Sequence, residues 1–457
     1  TEASVEATYA IYVTPDQIAD TYTGKVKYTV VNPATNIPNQ PKDCNVNTIC
    51  YWPNAGNLVD DTMGDQEYTG YTSTVSDFTT PLSNGGEATL WASNFQRSGY
   101  GFVGWSDKFD WELNANDASG NGTGVNAGYH IYGPNATVIL PSDIETKGLS
   151  LYAVWAPSTG VLQGYTCPDN TAMPIGKVTA LTDLRDNDTY AIAKLADGKC
   201  WMIENLRLDY DAAHNSDGSL AQGYGGVFIG LAEPEATYDV FHDVSTANSL
   251  YYSGTQSGTA SVDIGTTGHP GVRMPRYRND NTASPITNMT SANENIYSYG
   301  NYYNWAAAKA NTDYLDTEEN SNAANTSLCP SGWHLPFGSG SGEFGNLSNS
   351  LGGYKDANDV AQLMNTSTIP NGAEMSKTFR GFPNNYVYSG YIYDNSASAY
   401  IAGLGYSGRY FSATGGRQLV NDQNLNAYLL NISRAALGPG SQRTPKFYGF
   451  SIRCVNS

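Results

Sequence analysis

Cys329-Pro330-Ser331-Gly332-Trp333-His334-Leu335-Pro336 and Tyr448-Gly449-Phe450-Ser451-Ile452-Arg453-Cys454 decide how this chain is read. Each joins a cysteine to large apolar residues and glycine, and together they bracket the last part of the sequence. Paired as a disulfide, they tie the final strand back to the middle of its domain. Upstream, Thr189-Tyr190-Ala191-Ile192-Ala193-Lys194-Leu195 and Cys200-Trp201-Met202-Ile203 are apolar runs separated by Asp197-Gly198. Asp-Gly between two such runs signals a β-hairpin.

Three further blocks extend the pattern: Leu181-Thr182-Asp183-Leu184-Arg185-Asp186-Asn187-Asp188-Thr189-Tyr190, Leu195 through Leu206, and Tyr299-Gly300-Asn301-Tyr302-Tyr303-Asn304-Trp305. In this order the blocks resemble the Fibrobacter succinogenes major paralogous domain. That family is related to C-type lectin-like folds and more distantly to formylglycine-generating enzymes. The resemblance implies a C-type lectin-like terminal domain over 158–457, with Trp201, Trp305, Trp333 and Phe450 in its core and His334 structural. It also places Cys329 and Cys454 where the lectin-like branch carries a structural disulfide. Phe411 departs from the family pattern, standing where relatives carry Trp in a Tyr-Trp-Ser-Ser-Thr run. The local pattern adds two short helices, at 304–310 and at 342–351 with Ser341 as candidate N-cap, and a shorter candidate at 359–364. From Phe382 on, strands are expected through Tyr386–Tyr388, Tyr410–Ser412, Ala427–Leu430 and 449–455.

Residues 39–157 resemble the internalin-type B repeat, the Listeria-Bacteroides repeat, which is a small β-grasp-like module. The matching residues are Tyr51, Asn54-Ala55-Gly56, Gly99-Tyr100, Phe102, Gly104-Trp105 and Leu151-Tyr152-Ala153-Val154-Trp155. Phe102 and Trp105 are expected to flank a glycine-bearing turn, and Leu151, Ala153 and Trp155 to alternate on a final strand. Trp105 and Trp155 are the expected core aromatics, and the Gly/Asn-rich 114–128 segment reads as a surface loop. Residues 1–38 read as a hairpin left from an Ig-like domain, Ala7–Val13 and Thr21–Val31, followed by a Pro-bearing linker. The expected fold class is therefore β-rich α+β and multidomain.

Composition agrees with that class. A chain of 457 residues exceeds one ordinary core. Only 15% of residues are charged, while 34 tyrosines and 48 glycines favour strands and tight turns. The 43 acidic against 24 basic residues give a net charge of −19, which disfavours DNA, RNA and anionic membranes as partners. Six cysteines with no Cys-x-x-Cys and no adjacent spaced histidines argue against zinc and for disulfides in an oxidising compartment. Many connectivities are open to six cysteines. Nearest-neighbour pairing, Cys44–Cys50, Cys167–Cys200 and Cys329–Cys454, keeps each bond within one expected domain. No signal peptide, membrane-spanning run or sorting motif is present. Since the sequence opens on Thr1 rather than Met, an N-terminal portion, with any membrane anchor, is expected outside this chain.

Signatures of catalysis are sparse: none of the five histidines sits in a His-Glu-x-x-His context, and no nucleophile elbow or phosphate-binding glycine loop occurs. An oxidase of the formylglycine-generating type needs a reactive thiol, and the paired cysteines leave none spare. Asp183, Asp186 and Asp188 are candidate calcium ligands, with Asp209, Asp211 and Asp217 a second cluster. An EF-type loop begun at Asp209 fails, since its fifth position is Ala213. No other cofactor is expected. Tyr388, Tyr391, Tyr393, Tyr400, Tyr406 and Tyr410, interleaved with Gly, Ser and Asn, form the candidate ligand-binding surface, together with the long 208–296 segment. The same tyrosines also suit half-buried strand positions. Taken together, these readings favour a non-enzymatic, adhesin-like protein of the bacterial cell surface. Its terminal domain would recognise a glycan or protein ligand. The alternatives are a structural subunit of a surface layer or fibre that binds copies of itself, and the oxidase.

Overall fold

The computed structural model describes residues 44–54, 65–67, 86–93, 95–107, 130–208, 272–273, 299–303, 305–308, 327–365, 369–394, 399–420, 423–446 and 448–456. The hairpin and linker expected within 1–38 and the loop at 114–128 lie outside the described residues, as does 208–296 apart from Leu208 and 272–273.

Strands β1 (Thr48–Trp52), β2 (Asp65–Glu67), β3 (Glu87–Thr89), β4 (Tyr100–Ser106), β5 (Ile131–Tyr132) and β6 (Thr137–Ile139) precede a short helix, Ile144–Lys147. The long β7 (Leu149–Val161) follows. Next come β8 (Val178–Thr182), β9 (Thr189–Lys194), β10 (Cys200–Met202), β11 (Val272–Arg273) and β12 (Tyr302–Tyr303). The remainder comprises β13 (Ser389–Asp394), β14 (Ala399–Leu404), β15 (Ser407–Val420), β16 (Gln423–Ser433), β17 (Leu437–Pro445) and β18 (Val455–Asn456). Three helices, Trp305–Ala308, Glu343–Ser350 and Gly372–Arg380, lie between β12 and β13. The protein is thus β-rich with a minority of helix.

β7 is shared between the two expected domains. Leu149 to Tyr152 pair in parallel with β1, Tyr152 to Pro157 pair antiparallel with β4, and Ser158 and Val161 pair in parallel with β8. The boundary expected at 157/158 therefore falls inside one unbroken strand. β7 is apolar on both faces of its middle stretch, as a strand buried on both sides must be. Leu151, Ala153 and Trp155 enter a core with Ile49, Tyr51 and Trp105, while Val154 and Ala156 enter a second core with Val178, Ala193, Trp201 and Phe344.

The glycine-bearing turn expected between Phe102 and Trp105 is instead a β-bulge inside β4, with Gly104 at φ 154°. Residues three apart in a regular strand point to opposite faces. The extra residue returns Trp105 to the side of Phe102, and their rings meet edge-on at 5.0 Å. Val103 then faces the second core.

In the terminal domain the segments that carry the resemblance converge on the closing one. Met202 N donates to Cys454 O, Leu206 N to Ile452 O, and Tyr303 exchanges both backbone bonds with Phe450, as does His334 with Val455. Trp201, Trp305, Trp333 and Phe450 are all buried, as are Trp105 and Trp155. The three disulfides join Cys44–Cys50, Cys167–Cys200 and Cys329–Cys454. The last spans 125 residues and on the chain-entropy account stabilises by about 4–5 kcal/mol. The hairpin at Asp197-Gly198 joins β9 to β10, with Gly198 at φ 79°.

Several local expectations need correction. The helix at 343–350 takes Gly342, not Ser341, as its N-cap, and no side chain caps it. Residues 359–364 are not helical: Asp359 closes a turn at φ 61°, Ala361 bridges to Lys355 and Met364 to Leu437. Tyr386–Tyr388 is irregular rather than strand. The helix Gly372–Arg380 was not anticipated; its apolar stripe is only Met375 and Phe379, one turn apart amid polar residues.

Two outcomes follow from the shared strand. Gly101 lies against β9, where an added Cβ would sit 2.8 Å from both Ala191 Cα and the Tyr190 carbonyl carbon. Gly101→Ala should therefore cost about 1–3 kcal/mol, read by denaturant unfolding. A chain beginning at residue 158 loses Val103, Val154 and Ala156 from the second core. Calorimetry should show it melting well below the intact chain, and an unchanged melting temperature would contradict the shared core.

Candidate functional site

The five-stranded sheet β14-β13-β15-β16-β17 carries the tyrosine-rich stretch. Gly390 of β13 lies opposite Gly408 of β15, which brings Tyr391 beside Arg409 at the next position. Arg409 pairs across to Asn431 and Asn431 to Gly438. Two residues along β15, Phe411 is buried against Phe450 with ring centroids 4.4 Å apart. One sheet face therefore passes from a closed apolar core at Phe411 to a half-buried rim at Arg409.

At that rim the Arg409 guanidinium carbon stands 3.6 Å from the Tyr391 ring centroid and 5.7 Å from that of Phe450. Tyr391 and Tyr448 each meet Phe450 edge-on, at 6.0 and 6.3 Å. Burial pushes the Arg409 pKa down, opposed by the neighbouring Tyr391 and Tyr448. Its Nε is buried without a hydrogen-bond acceptor. Beside it, Asn431 Nδ2 donates to Gln442 Oε1 at 2.8 Å. A second such pair lies nearby in sequence: Tyr406 is half exposed with the Arg434 guanidinium 5.3 Å from its ring centroid.

Of the tyrosines expected at a ligand surface, Tyr391 lies at this rim, while Tyr406 is half exposed beside Arg434. Tyr388 and Tyr410 are corrected to core residues, both fully buried. Tyr410 Oη donates to Val387 O and accepts from Val387 N, each at 2.9 Å. Tyr388 Oη lies 3.1 Å from Ser376 Oγ. Tyr393 and Tyr400 are cross-strand partners in β13 and β14, and their side chains lie outside the described residues. Arg409 and Tyr448 were not anticipated. The available signal was an arginine inside the tyrosine-rich run of a chain with few basic residues.

Of the aspartates considered for calcium, Asp183 and Asp188 face arginine. Both Asp183 oxygens accept from Arg185, at 2.9 and 3.0 Å from Nε and 2.6 Å from Nη2, and Gln163 adds a bond at 2.7 Å. Burial works to raise the Asp183 pKa, but the Arg185 guanidinium outweighs it and holds the carboxyl below its ordinary range. Asp188 Oδ2 lies 3.4 Å from Arg207 Nε. Asp186 is pushed up to about 7, first by burial and then by Asp183 and Asp188. Among the described residues, no group of three or more His, Cys, Asp or Glu side chains is placed to hold a metal ion.

His334 Nε2 lies 2.8 and 3.0 Å from the two Glu343 oxygens, and Lys199 Nζ bonds the same carboxylate at 2.7 Å. Burial acts to raise the Glu343 pKa, but His334 and Lys199 together bring it below its ordinary value. Glu343 also accepts from Phe337 N at 3.0 Å, so this cluster pins the 343–350 helix to the Trp-His-Leu-Pro block.

Comparison with protein-family models, with curated proteins and with solved structures finds no match to any of them.

Asp186 yields a pH prediction. An acid whose folded pKa lies above its unfolded value supports the fold while protonated, and that support is lost as pH rises through the folded pKa. Asp186 should withdraw stability as pH climbs from 3.8 to about 7. Asp186→Asn keeps an oxygen to accept from Asp188 N and removes the charge. Its melting temperature should match the parent near pH 4 and exceed it at pH 8; equal melting at both would refute the assignment.

Proposed function

We propose that this chain is a non-enzymatic recognition protein of a bacterial cell surface, its C-type lectin-like terminal part presenting a ligand site at the rim of the five-stranded sheet. The observation that carries the reading is the pairing of partly exposed tyrosine with arginine on the five-stranded sheet and its turns, at Tyr391–Arg409, Tyr406–Arg434 and Tyr428–Arg443. Tyrosine offers broad contact area at small entropic cost, and arginine is among the residues enriched where binding energy concentrates. Three disulfides fit an oxidising compartment, and no cysteine is free, which leaves no thiol to serve the oxidase reading. The likeness to the Fibrobacter major paralogous domain and to the internalin-type repeat supports display outside the cell. The joined β7 suits such display, because a head and its neighbour that share a strand hold a fixed geometry.

The test is binding of the labelled whole chain to host and bacterial cells, run alongside size-exclusion chromatography. Saturable cell binding by a monomer is the expected result, reduced at least several-fold by joint replacement of Tyr391 and Tyr406 with Ser. Concentration-dependent polymers without cell binding would instead favour a subunit of a surface layer or fibre.

A further inference from the structure

Among the described residues the arginines are held in different ways. Arg185, Arg207, Arg380 and Arg453 are buried, and each donates to backbone carbonyl oxygens, several also to carboxylates. Arg434 donates to Gly405 O at 3.3 Å. Arg409 differs. Among the described residues its guanidinium has no carboxylate partner and donates no hydrogen bond, a state it shares with half-buried Arg97, stacked 3.6 Å from the Tyr100 ring centroid; its Nε is buried without an acceptor, as are those of Arg380 and Arg434. Its contacts are the faces of Tyr391 and Phe450.

That arrangement has a chemical consequence. A guanidinium stacked on a ring keeps its N–H donors in its own plane, free to meet a planar pair of oxygens. Stacking offsets part of the burial cost, but a buried donor left without an acceptor remains costly. A carboxylate suits the outer Nη edge of this half-buried guanidinium, where it can take two N–H bonds and neutralise the charge, while the enclosed Nε takes no part. The surroundings narrow the ligand further. Asn431 stands across from Arg409 in the sheet, and its bond to Gln442 places two amides, with donors and acceptors, at adjacent positions. Half-buried Tyr391 and Tyr448 supply aromatic surface on the other side. Amides suit hydroxyl groups, and aromatic surface suits the C–H face of a sugar ring. The net charge of −19 repels anions at long range, so capture here rests on short-range stereochemistry.

We propose that Arg409, stacked on Tyr391 and flanked by Asn431 and Gln442, binds the carboxylate of an acidic sugar, of uronate or sialate type. This rests on the recognition reading given above and names its ligand class.

The experiment uses the intact chain and isothermal titration with trigalacturonate and 3′-sialyllactose as the two acidic sugars. The methyl ester of trigalacturonate, lactose and triglutamate serve as controls. Binding to an acidic sugar is expected, weakened on the order of ten-fold or more by esterification, by Arg409→Gln and by Tyr391→Ser. Which of the two sugars binds identifies the source of the carboxylate. Arg409→Lys keeps the charge but not the planar fork, and should bind at least several-fold more weakly than the parent at an unchanged melting temperature. It decides the matter if the Gln variant does not fold. The proposal fails if neither acidic sugar binds, if the ester or triglutamate binds as tightly, or if a folded Arg409 variant binds like the parent. Cell binding that persists in Arg409→Gln would overturn the role of Arg409 and leave the recognition reading standing. Cell binding absent from the parent chain would remove that reading itself.

Discussion

One buried carboxylate holds the two halves of this protein together. Glu204 Oε2 accepts from Phe102 N at 3.1 Å, across the domain boundary, and from Ala191 N at 2.6 Å within the terminal domain. These amides face each other where β4 and β9 approach closely without a ladder between them. Buried amides cannot be left without partners at acceptable cost, so a side chain does the work of a missing strand. Burial raises the Glu204 pKa, and Arg207 opposes it through a bond of 3.0 Å to Oε1. Arg207 is held in turn by Thr189 O at 3.1 Å and by the Tyr190 ring, 4.2 Å from its guanidinium carbon. Loss of the carboxylate would orphan two amides and take from buried Arg207 its closest carboxylate, a larger penalty than the loss of one hydrogen bond.

The same logic runs through the closing segment. Arg453 is fully buried, so burial lowers its pKa, opposed by Tyr410, Tyr386 and Glu204. It donates to Asn205 Oδ1 at 2.8 Å, to Asn384 O at 2.6 Å and to Asn385 O. Asn385 Nδ2 then reaches Val103 O of the repeat-like half at 2.6 Å. Buried arginines here serve as posts that satisfy irregular backbone where no sheet is available to do so. Arg409 on Tyr391 and Phe450, like Arg97 on Tyr100, instead meets aromatic faces.

Much of this was legible in the sequence, and the reasons for the rest are physical. The Asp197-Gly198 hairpin follows from short-range pattern, the cysteine pairing from nearest-neighbour order and the resemblance, and the buried Trp201, Trp305 and Trp333 from the resemblance. Tyr388 and Tyr410 misled because tyrosine serves equally as a core filler and as a contact residue; the distinction lies in whether its hydroxyl finds a buried partner, as Tyr410 does at Val387. Ala156-Pro157-Ser158-Thr159-Gly160 has the residues of a linker, yet β1, β4 and β8 supply pairing along β7 and make it strand. Long-range pairing overrides local preference there. At Asp183 a sequence does not show which cation the carboxylate meets, and in the fold Arg185, two residues away, claims it.

The joining of the two halves bears directly on the rim around Arg409. Tyr388 N, one residue before β13, donates to Asn135 Oδ1 of the repeat-like half at 2.6 Å. Asn135 is itself buried and donates to Leu90 O at 2.9 Å, so it is a fixed point. Arg380 reaches the same half at Asn135 O and at Thr137 Oγ1, and Lys377 pairs with Glu87 at 2.9 Å. The start of β13 is thereby held from outside the terminal domain, and Tyr391 lies three residues further along. A stacked guanidinium discriminates among anions only if its ring support does not move. On this geometry the repeat-like half is more than a spacer: it helps fix the ring on which Arg409 rests.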